Sequence, residues 1–356
     1  MPFSFPLQDL ADWLHQNGYY QACNVPAFTT QRVCPVQNVR FERRLQSGLP
    51  LPLGAHSHPS RFLGQLSPDC QNLYRVFYLH EPGDLDRTWP GLADSQYALW
   101  QISPLWTMAG TRYIVSSIPQ RSPGEFVYLG DDSGLLIEAS WRWLGGRGQG
   151  RVADLCCGCG VVGLSLPEGF TEVVGLDANP TALRLAEVNH QLNHPGLPCS
   201  FVLSDMWQAG RGLFDYVVGN PPALPVGSDL LYAYGGEDPA SLTLRAIEGL
   251  GDMLAPGGKC LLLSFSVRDR LWQQLQQRLS ADFSLEYEPR KRLIMTDPQL
   301  GWMEHVWIRI VRDHRGRRIR KPMSWLNWAS QWSLPWLQAE PPPQRCYAGS
   351  QRSSQP

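Results

Sequence analysis

The central part of the chain alternates short apolar runs with segments of helical spacing. The runs are RVADLC, EVVGLD, CSFVLSD, FDYVVGN and KCLLLSFS, each as long as a buried strand and bounded by Gly, Pro, Asn or Asp. Helices are predicted for PTALRLAEVNHQLN and PASLTLRAIEGLGDMLAPGG between these runs, and for DRLWQQLQQRL ahead of a last strand, HVWIRIV. This alternation predicts an α/β fold in which a mostly parallel sheet carries helices on both faces.

The patterns on either side divide the chain into three regions. Residues 1–125 are predicted to form a smaller mixed N-terminal domain for substrate recognition or an accessory function, and Leu7 to Gly18 reads as an amphipathic helix. The α/β domain is placed at residues 126–312 and opens with a helix over Ser133 to Leu144, with Ser133 as its N-cap. Residues 313–356 form a basic tail that becomes rich in Trp and then in Pro, Ser and Gln, so its end is expected to be disordered.

Composition excludes several classes of protein. The chain has 31 Lys and Arg against 32 Asp and Glu, a net charge of -1, so no overall field attracts it to nucleic acid or to anionic lipid. Its start lacks the segments of a secretory signal peptide, and no run of about 18 apolar residues predicts a membrane span. Nine Cys without a small-domain framework argue against disulfides, so a cytoplasmic protein with no membrane partner is expected.

A turn of small residues follows the first predicted strand of the α/β domain. In Asp154-Leu-Cys-Cys-Gly-Cys-Gly160 the backbone can approach a ligand closely, and a helix predicted from about Val162 would offer its N-terminal amides. Asp177 ends the next strand, where a carboxylate can accept hydrogen bonds from both hydroxyls of a ribose. Together they indicate a cofactor that contains adenosine. An NAD-binding chain would more often show G-x-G-x-x-G directly after the strand.

A second constellation lies at the end of the predicted fourth strand. Asn220-Pro-Pro-Ala223 combines an amide with two prolines, which fix the backbone and remove its N–H donors. The resulting carbonyls and the Asn220 amide oxygen suit an NH2 group, because they accept its hydrogens while its lone pair faces an electrophilic methyl group. Transfer from a sulfonium needs little acid–base help, so catalysis would depend on positioning.

From about Tyr128 to Arg312 the chain resembles the class I methyltransferases that depend on S-adenosylmethionine, in particular their small methyltransferase branch. That branch includes the glutamine N5-methyltransferases of peptide release factors and the N-methyltransferases of guanine or adenine in ribosomal RNA. The resemblance rests on five motifs in order, VADLCCGCGVVGLSL, VVGLDANPTALRLAEVN, SDMW, FDYVVGNPPA and MLAPGGK. It implies a Rossmann-like domain with a mostly parallel seven-stranded sheet. It also implies methyl transfer to an amide or amino nitrogen of a protein glutamine or of a nucleobase in rRNA or tRNA.

The resemblance also assigns residues to the site. The implied residues for S-adenosylmethionine are Asp154, Cys156, Gly158, Gly160, Asp177, Ala178, Asp205, Met206 and Asn220. Asn220, Pro221 and Pro222 would be catalytic, with Asn220 binding the amino group that receives the methyl group. Tyr128 to Ala139 resembles the segment that caps the cofactor, and Tyr234 to Pro239 resembles a Gly-Gly-x-Asp stretch of the release-factor enzymes. No metal ligands are expected.

Two positions depart from the branch. Cys156 stands where the usual turn has its first glycine, so a side chain must fit beside the methionine part of the cofactor. Ala223 stands where a Tyr or Phe usually follows Asn-Pro-Pro and stacks on a planar substrate. Either another aromatic residue, such as Tyr232, Tyr234 or one from the N-terminal region, supplies this contact, or the acceptor is not a base or an amide.

Several alternatives stay open at the level of sequence. Ala223 is compatible with a small metabolite or natural-product precursor as the acceptor, and Cys156 together with Ala223 is compatible with a degenerate fold retained as a binding module. Arg312 to Lys321 is either a solvated linker, which is slightly favoured, or an arm that contacts RNA phosphates. The Cys156-Cys-Gly-Cys159 spacing is cramped for a tetrahedral thiolate site, so small side chains in a tight turn are the preferred interpretation.

Overall fold

The computed structural model describes residues 6–20, 66–77, 93–94, 97–107, 110–117, 127–194, 196–223, 234–236, 238, 240–267, 270–297, 301–313 and 319–320. In the N-terminal region these residues form two helices and two antiparallel pairs of strands. They are α1 (Leu7–Gln16), α2 (Pro68–Phe77), β1 (Ala93–Asp94) with β2 (Tyr97–Ala98), and β3 (Gln101–Thr107) with β4 (Gly110–Ser116).

The remaining elements alternate between helix and strand over most of their length. In chain order they are α3 (Asp131–Leu144), β5 (Gly150–Leu155), β6 (Phe170–Asp177), α4 (Pro180–Asn193), β7 (Cys199–Leu203), β8 (Phe214–Gly219), α5 (Ser241–Glu248), α6 (Leu250–Met253), β9 (Leu254–Val267), α7 (Arg270–Arg278), β10 (Phe283–Asp297), β11 (Gly301–Arg312) and β12 (Ile319–Arg320). Among the helices in the described ranges, none combines the length and the apolar composition that a membrane crossing requires.

Eight of these strands form one sheet in the order β12-β10-β11-β9-β8-β5-β6-β7. The five strands from β9 to β7 in this order run parallel to one another, whereas β11 is antiparallel to both of its neighbours. Strand β12 contributes only two residues, which pair with Leu285 and Glu286 of β10. The seven longer strands therefore confirm the predicted Rossmann-like domain with a mostly parallel seven-stranded sheet.

Both faces of the central part of the sheet are buried, because alternate residues of β5, β6, β8 and β9 enter different hydrophobic cores. Val152 of β5 and Leu261 of β9 belong to the core that includes α1, α3 and α4. Their neighbours Ala153 and Leu262 belong to the core that includes α5 and α7. Helices on both faces therefore leave the strand ends as the open part of the sheet.

The N-terminal elements pack on the side of the domain that carries α4. Leu10 and Leu14 of α1 are fully buried in the same core as Leu185 and Val188 of α4. The helix predicted over Leu7 to Gly18 is confirmed as α1. Described elements of the region at residues 1–125 therefore share a core with the domain that was predicted at residues 126–312.

Two expectations near the site are wrong. Helix α3 begins at Asp131 rather than after Ser133, and its N-cap is Gly130, which has an extended backbone. The described residues between β5 and β6 contain a single 3₁₀ turn, Gly163–Ser165, instead of the helix expected from Val162. Pro167 explains this difference, because it leaves too few residues for an α-helix before β6 begins.

Two further differences concern the second half of the domain. The single helix predicted over residues 239–258 is divided into α5 and α6, and its last five residues, 254–258, belong to β9. Residues 283–297, to which the hydrophobic pattern assigned no strand, form β10. The predicted strands themselves are confirmed as β5, β6, β7, β8, β9 and β11.

Candidate active site

The order of the sheet reverses beside β5, and such a reversal is where ligands bind in open α/β sheets. Strands β6 and β7 extend to one side of β5, and β8 and β9 extend to the other. A cavity of about 710 Å³ lies at the carboxyl ends of these strands. It is lined by Asp177 at the end of β6 and by Asn220 directly after β8, so one space joins the two predicted halves of the site.

The turn after β5 has a backbone that favours glycine. Gly158 and Gly160 have φ angles of +54° and +76°, and Cys156 has a φ of 55° in the same left-handed region. The Cys156 thiol lies 3.8 Å from Sδ of Met206, whose own φ is also 55°. The side chain that replaces the usual glycine therefore contacts a second residue of the predicted cofactor site.

Asp154 lies beneath this turn and fixes its backbone. Its Oδ2 atom accepts a hydrogen bond of 2.8 Å from the N–H of Gly163. The pKa of Asp154 is raised to about 7, mainly by burial; the hydrogen bond from Gly163 lowers it and the nearby charge of Asp177 raises it. A cationic ligand at this wall of the cavity would stabilise the ionised form of the carboxyl group.

Asp177 holds the same turn from the side of β6. Its Oδ2 atom accepts a hydrogen bond from Gly158 N–H and its Oδ1 atom accepts one from Asn179 N–H, each at 2.8 Å. Burial raises the pKa of Asp177, and these backbone bonds counteract the rise. Each carboxylate oxygen has a second lone pair, so Asp177 can also accept hydrogen bonds from two hydroxyl groups in the cavity.

The predicted adenine wall contains an ion pair. Nη2 of Arg245, on α5, lies 2.9 Å from Oδ2 of Asp205, which follows β7. Both side chains are largely exposed, so the pair contributes little to stability. It does fix the position of the Asp205 carboxylate at the cavity wall, next to Met206.

Asn220 is oriented by a residue that is distant in sequence. Its Nδ2 atom donates a hydrogen bond of 2.8 Å to Oδ2 of Asp132, at the start of α3. A carboxylate accepts hydrogen bonds and does not donate them, so the amide nitrogen must face Asp132. The amide oxygen is therefore the atom that is directed to a ligand, beside Pro221 and Pro222 on the same wall.

An aromatic pair lies on the cavity wall as well. Phe265 of β9 and His305 of β11 are directly opposite each other in the sheet, with ring centroids 4.3 Å apart and an angle of 44° between the rings. Both residues line the cavity, and so does Tyr234. The cavity therefore has planar groups on its walls although residue 223 is Ala.

The structure brings together all but one of the predicted site residues. The cavity is lined by Asp154, Cys156, Gly158, Asp177, Ala178, Asp205, Met206, Asn220, Pro221 and Pro222. Gly160 packs against α4 instead, since a Cβ atom there would lie 3.1 Å from the Cβ of Ala186.

Tyr232 and most of Arg312 to Lys321 lie outside the described residues. Arg312 itself donates a hydrogen bond of 2.5 Å to the carbonyl of Leu254.

Four charged or aromatic residues are prominent among those of the cavity wall that were not assigned to the site from the sequence. They are Asp132, Arg245, Phe265 and His305. Asp132 could have been identified from the sequence, because it is an acidic residue at a helix start within the segment expected to cap the cofactor. The sequence contains no comparable indication for Arg245, Phe265 or His305, because the periodicity of a helix or strand does not show which other elements it contacts.

The cysteines of the turn have the character of core residues. Cys157 and Cys159 are buried, and burial raises the pKa of the Cys159 thiol to about 12 and that of Cys157 well above its usual range. These thiols therefore stay protonated at neutral pH, whereas a metal ligand is a thiolate. Within the part of the chain that the structure describes, no three His, Cys, Asp or Glu side chains are grouped to hold a metal ion.

Comparison with known proteins identifies relatives of the central region. Residues 126–264 match the sequence model of the family described as methyltransferase small domain. A putative protein N5-glutamine methyltransferase of Methanocaldococcus jannaschii is 33% identical over 124 residues, which cover 33% of this chain and 62% of that protein. A release factor glutamine methyltransferase of Bordetella pertussis is 35% identical over 95 residues, which cover 26% of this chain and 34% of that protein.

RNA methyltransferases are also among the relatives. A ribosomal RNA small subunit methyltransferase C of Actinobacillus pleuropneumoniae is 36% identical over 76 residues, 21% of this chain and 23% of that protein. This chain thus spans less than two thirds of the length of each of these relatives. A solved structure of the 16S rRNA N2 G1207 methyltransferase of T. thermophilus, in complex with AdoMet and guanosine, has a TM-score of 0.43 and 20% identity; the match covers 62% of this chain and 53% of that one.

Proposed function

We propose that the protein is an enzyme that transfers a methyl group from S-adenosylmethionine to an amide or amino nitrogen, a proposal supported by the match of residues 126–264 to the methyltransferase small domain family. The acceptor is a protein glutamine or a nucleobase, since the names of the relatives specify glutamine and ribosomal RNA. The observation that carries the proposal is the single cavity that contains Asp177 on one wall and Asn220, held by Asp132, on another.

The residues around the turn fit S-adenosylmethionine. A Cβ atom at Gly158 would have only the Tyr128 carbonyl oxygen near it, at 4.0 Å, so a ligand can approach this part of the backbone closely. Asp177 is placed to accept hydrogen bonds from the ribose hydroxyls. Asp154 provides a carboxyl group for the cationic methionine part, and Asp205 flanks the adenine.

The acceptor half of the site acts by positioning. When bound, S-adenosylmethionine supplies a methyl group on a positively charged sulfur, which is a good leaving group. Asn220 Oδ1 and the carbonyls near Pro221 accept the hydrogens of the acceptor NH2 group and thereby direct its lone pair into the cavity. Asp132 keeps the Asn220 amide from rotating, because it binds Nδ2. Orientation in a shared cavity supplies the rate enhancement, and no residue has to become a nucleophile.

The aromatic residues replace the ring that is missing at position 223. Phe265, His305 and Tyr234 line the same cavity as Asn220. An aromatic face stacks on a nucleobase and also covers the flat face of a primary amide. This wall therefore supports a planar acceptor, in agreement with both glutamine and nucleobase substrates.

Transfer of a labelled methyl group tests the proposal. The full chain is incubated with methyl-labelled S-adenosylmethionine and with separate fractions of RNA, protein and small molecules. Label is expected in RNA or protein, and Asn220→Ala should abolish it while calorimetry finds nearly unchanged cofactor binding. Asp177→Ala should instead weaken cofactor binding. Label confined to small molecules would favour a metabolite acceptor, and a chain that binds no S-adenosylmethionine would favour a degenerate binding module.

A further inference from the structure

Two asparagine side chains of helix α4 form hydrogen bonds with the backbone of strand β4, along the edge that faces away from β3. Asn193 accepts a hydrogen bond of 2.8 Å from the N–H of Tyr113 and donates one of 2.9 Å to its carbonyl. Asn189 makes the same two bonds with Val115, at 2.7 and 2.9 Å. Each side-chain amide therefore makes the two hydrogen bonds that a residue of a neighbouring strand would otherwise make.

The spacing of the two asparagines allows a helix to do this. Four residues of an α-helix advance by about 6 Å, and two residues of a strand advance by about 6.8 Å. Tyr113 and Val115 are two residues apart, and their backbone groups face away from β3 because the bonded side alternates along an antiparallel pair. Pro104 of β3 lies opposite Tyr113, where the backbone groups of both strands point away from each other. The N–H group that proline lacks would therefore not have bonded to β4.

Asn189 makes one more bond, which reaches the cofactor turn. Its other amide hydrogen is donated to the carbonyl of Cys159 at 2.9 Å. Cys157 and Gly158 of the same turn line the cavity. Asn189 is fully buried, so loss of its side chain would leave three backbone groups without a partner away from bulk water.

We propose that Asn189 is a positioning residue for the methyl-donor site, which ties the turn after β5 to the N-terminal hairpin of β3 and β4. The hairpin thereby contributes to the affinity for S-adenosylmethionine. No described residue of β4 lines the cavity, so this contribution acts through the carbonyl of Cys159.

A third contact attaches the hairpin to the end of α4. Nε of Arg112 donates a hydrogen bond of 2.7 Å to Nε2 of His194. Burial, then the charges of Arg112 and His190, lower the pKa of His194 to about 4, so the neutral ring accepts this bond. Three side chains at the C-terminal part of α4 thus bind the hairpin, those of Asn189, Asn193 and His194. Of these, Asn189 is the one that also bonds to the turn after β5.

Two matched variants of the full chain test this inference, which rests on the proposed S-adenosylmethionine site. Asn189→Ala and Asn193→Ala each remove three hydrogen bonds, of which two are made to β4. The third is made to Cys159 by Asn189 and to the helix carbonyl of residue 189 by Asn193. Both variants should lower Tm, and Asn189→Ala should lower it more because Asn189 is fully buried and Asn193 is partly exposed. At a temperature where both variants are folded, Asn189→Ala should raise the Kd for S-adenosylmethionine about fivefold or more above that of Asn193→Ala in calorimetry.

Hydrogen exchange of the wild-type chain gives a second readout that does not depend on how a variant folds. S-adenosylmethionine should slow the exchange of the Tyr113 and Val115 amides, although β4 does not line the cavity. Equal cofactor affinities of the two variants, or exchange in β4 that the cofactor leaves unchanged, would overturn the inference. A wild-type chain that binds no S-adenosylmethionine would overturn the proposed function with it, so the two failures are distinguishable.

Discussion

Asn220 can bind an amino group only if its amide oxygen faces that group, and Asp132 enforces this orientation. Without the carboxylate the amide can rotate, because its two ends differ little in size. We expect Asp132→Ala to lower kcat by about 10- to 100-fold, since small displacements of reacting groups greatly reduce the rate. The Kd for S-adenosylmethionine should change little. Steady-state kinetics and calorimetry measure the two quantities.

A second carboxyl group of α3 provides the control for this variant. Glu138→Ala removes a carboxyl group that pairs with Arg142 and is not among the residues that line the cavity, so it should leave kcat nearly unchanged. Asp132→Asn keeps an oxygen that can accept the bond, so it should have intermediate activity. A normal kcat for Asp132→Ala would show that Asn220 is oriented without this partner.

Asp154 should make cofactor binding depend on pH. Burial raises its pKa to about 7, so at pH 6 the carboxyl group must lose a proton when it faces a cationic ligand. This requirement weakens binding by up to about tenfold for each pH unit below the pKa. Affinity for S-adenosylmethionine should therefore rise between about pH 6 and 7.5 in calorimetry, and Asp154→Asn should remove most of this rise. Equal wild-type affinity at both pH values would refute the assignment.

The same pKa has the opposite effect on the free protein. The folded carboxyl group keeps its proton up to about pH 7, whereas the unfolded one, with an ordinary pKa of 3.8, has already lost it. The folded state therefore binds more protons in this interval, and the contribution of Asp154 to stability falls as the pH rises through it.

Cys156 has a backbone conformation that favours glycine. The left-handed region costs an L-residue about 1–2 kcal/mol, and ordering a glycine costs about 0.5–1 kcal/mol more than ordering another residue. The two effects nearly cancel, so Cys156→Gly should change the free energy of unfolding by about 1 kcal/mol or less. Urea denaturation measures this change.

Cys157→Gly is the matched comparison. Cys157 is outside the left-handed region, and its thiol lies against Gly175, where an added Cβ atom would be 2.9 Å from Sγ. This variant gains no relief of strain and loses packing, so it should be more destabilising than Cys156→Gly by about 1 kcal/mol or more. Equal decreases in the free energy of unfolding in the two variants would argue against backbone strain at Cys156.

At the scale of secondary-structure elements, the pairing of β9 with β11 builds the proposed acceptor wall, because it places Phe265 opposite His305. Phe265→Leu keeps apolar volume but removes the flat ring. Stacking on a base contributes about 1–3 kcal/mol, so the KM for an RNA acceptor should rise by about 5- to 150-fold while the Kd for S-adenosylmethionine stays unchanged. Phe283→Leu, in the core on the other face of the sheet, should lower stability without this selective effect. An unchanged KM in Phe265→Leu would show that the Phe265 ring does not contribute to acceptor binding.

Most of the sheet could be predicted because each buried strand is a short apolar run with polar or turn residues at its ends. Strand β10 starts with a period of two, since Phe283, Leu285 and Tyr287 are buried and Glu286 is exposed. The charged stretch after Tyr287 interrupts this pattern, and the strand was therefore missed. The 3₁₀ turn after the glycine turn was missed because apolar spacing does not count the residues available before the next strand.

The site could be predicted in part, for a topological reason. Asp154, Asp177 and Asn220 each lie at or directly after the end of a parallel strand, and these ends meet at one edge of the sheet. The contacts of Asp132 with Asn220 and of Arg245 with Asp205 join elements whose packing depends on the tertiary fold. No local pattern contains that information.

At the scale of the whole molecule, the N-terminal elements are part of the framework that positions the site. Leu10 of α1 and Val115 of β4 share a core with Val188 of α4, although the family match begins only at residue 126. The Asn189 bonds extend this packing to the cofactor turn. The N-terminal elements are therefore placed to influence cofactor binding, although none of their described residues lines the cavity.

The identity of the atom that receives the methyl group tests nitrogen methylation at Asn220 most directly. The acceptor labelled by the full chain is digested with proteases or nucleases, and the modified glutamine or nucleoside is identified by mass spectrometry against synthetic standards. The methyl group is predicted on an amide or exocyclic amino nitrogen, with no product from Asn220→Ala. A methyl group on oxygen, carbon or sulfur, or the same product in equal yield from Asn220→Ala, would contradict the proposed chemistry.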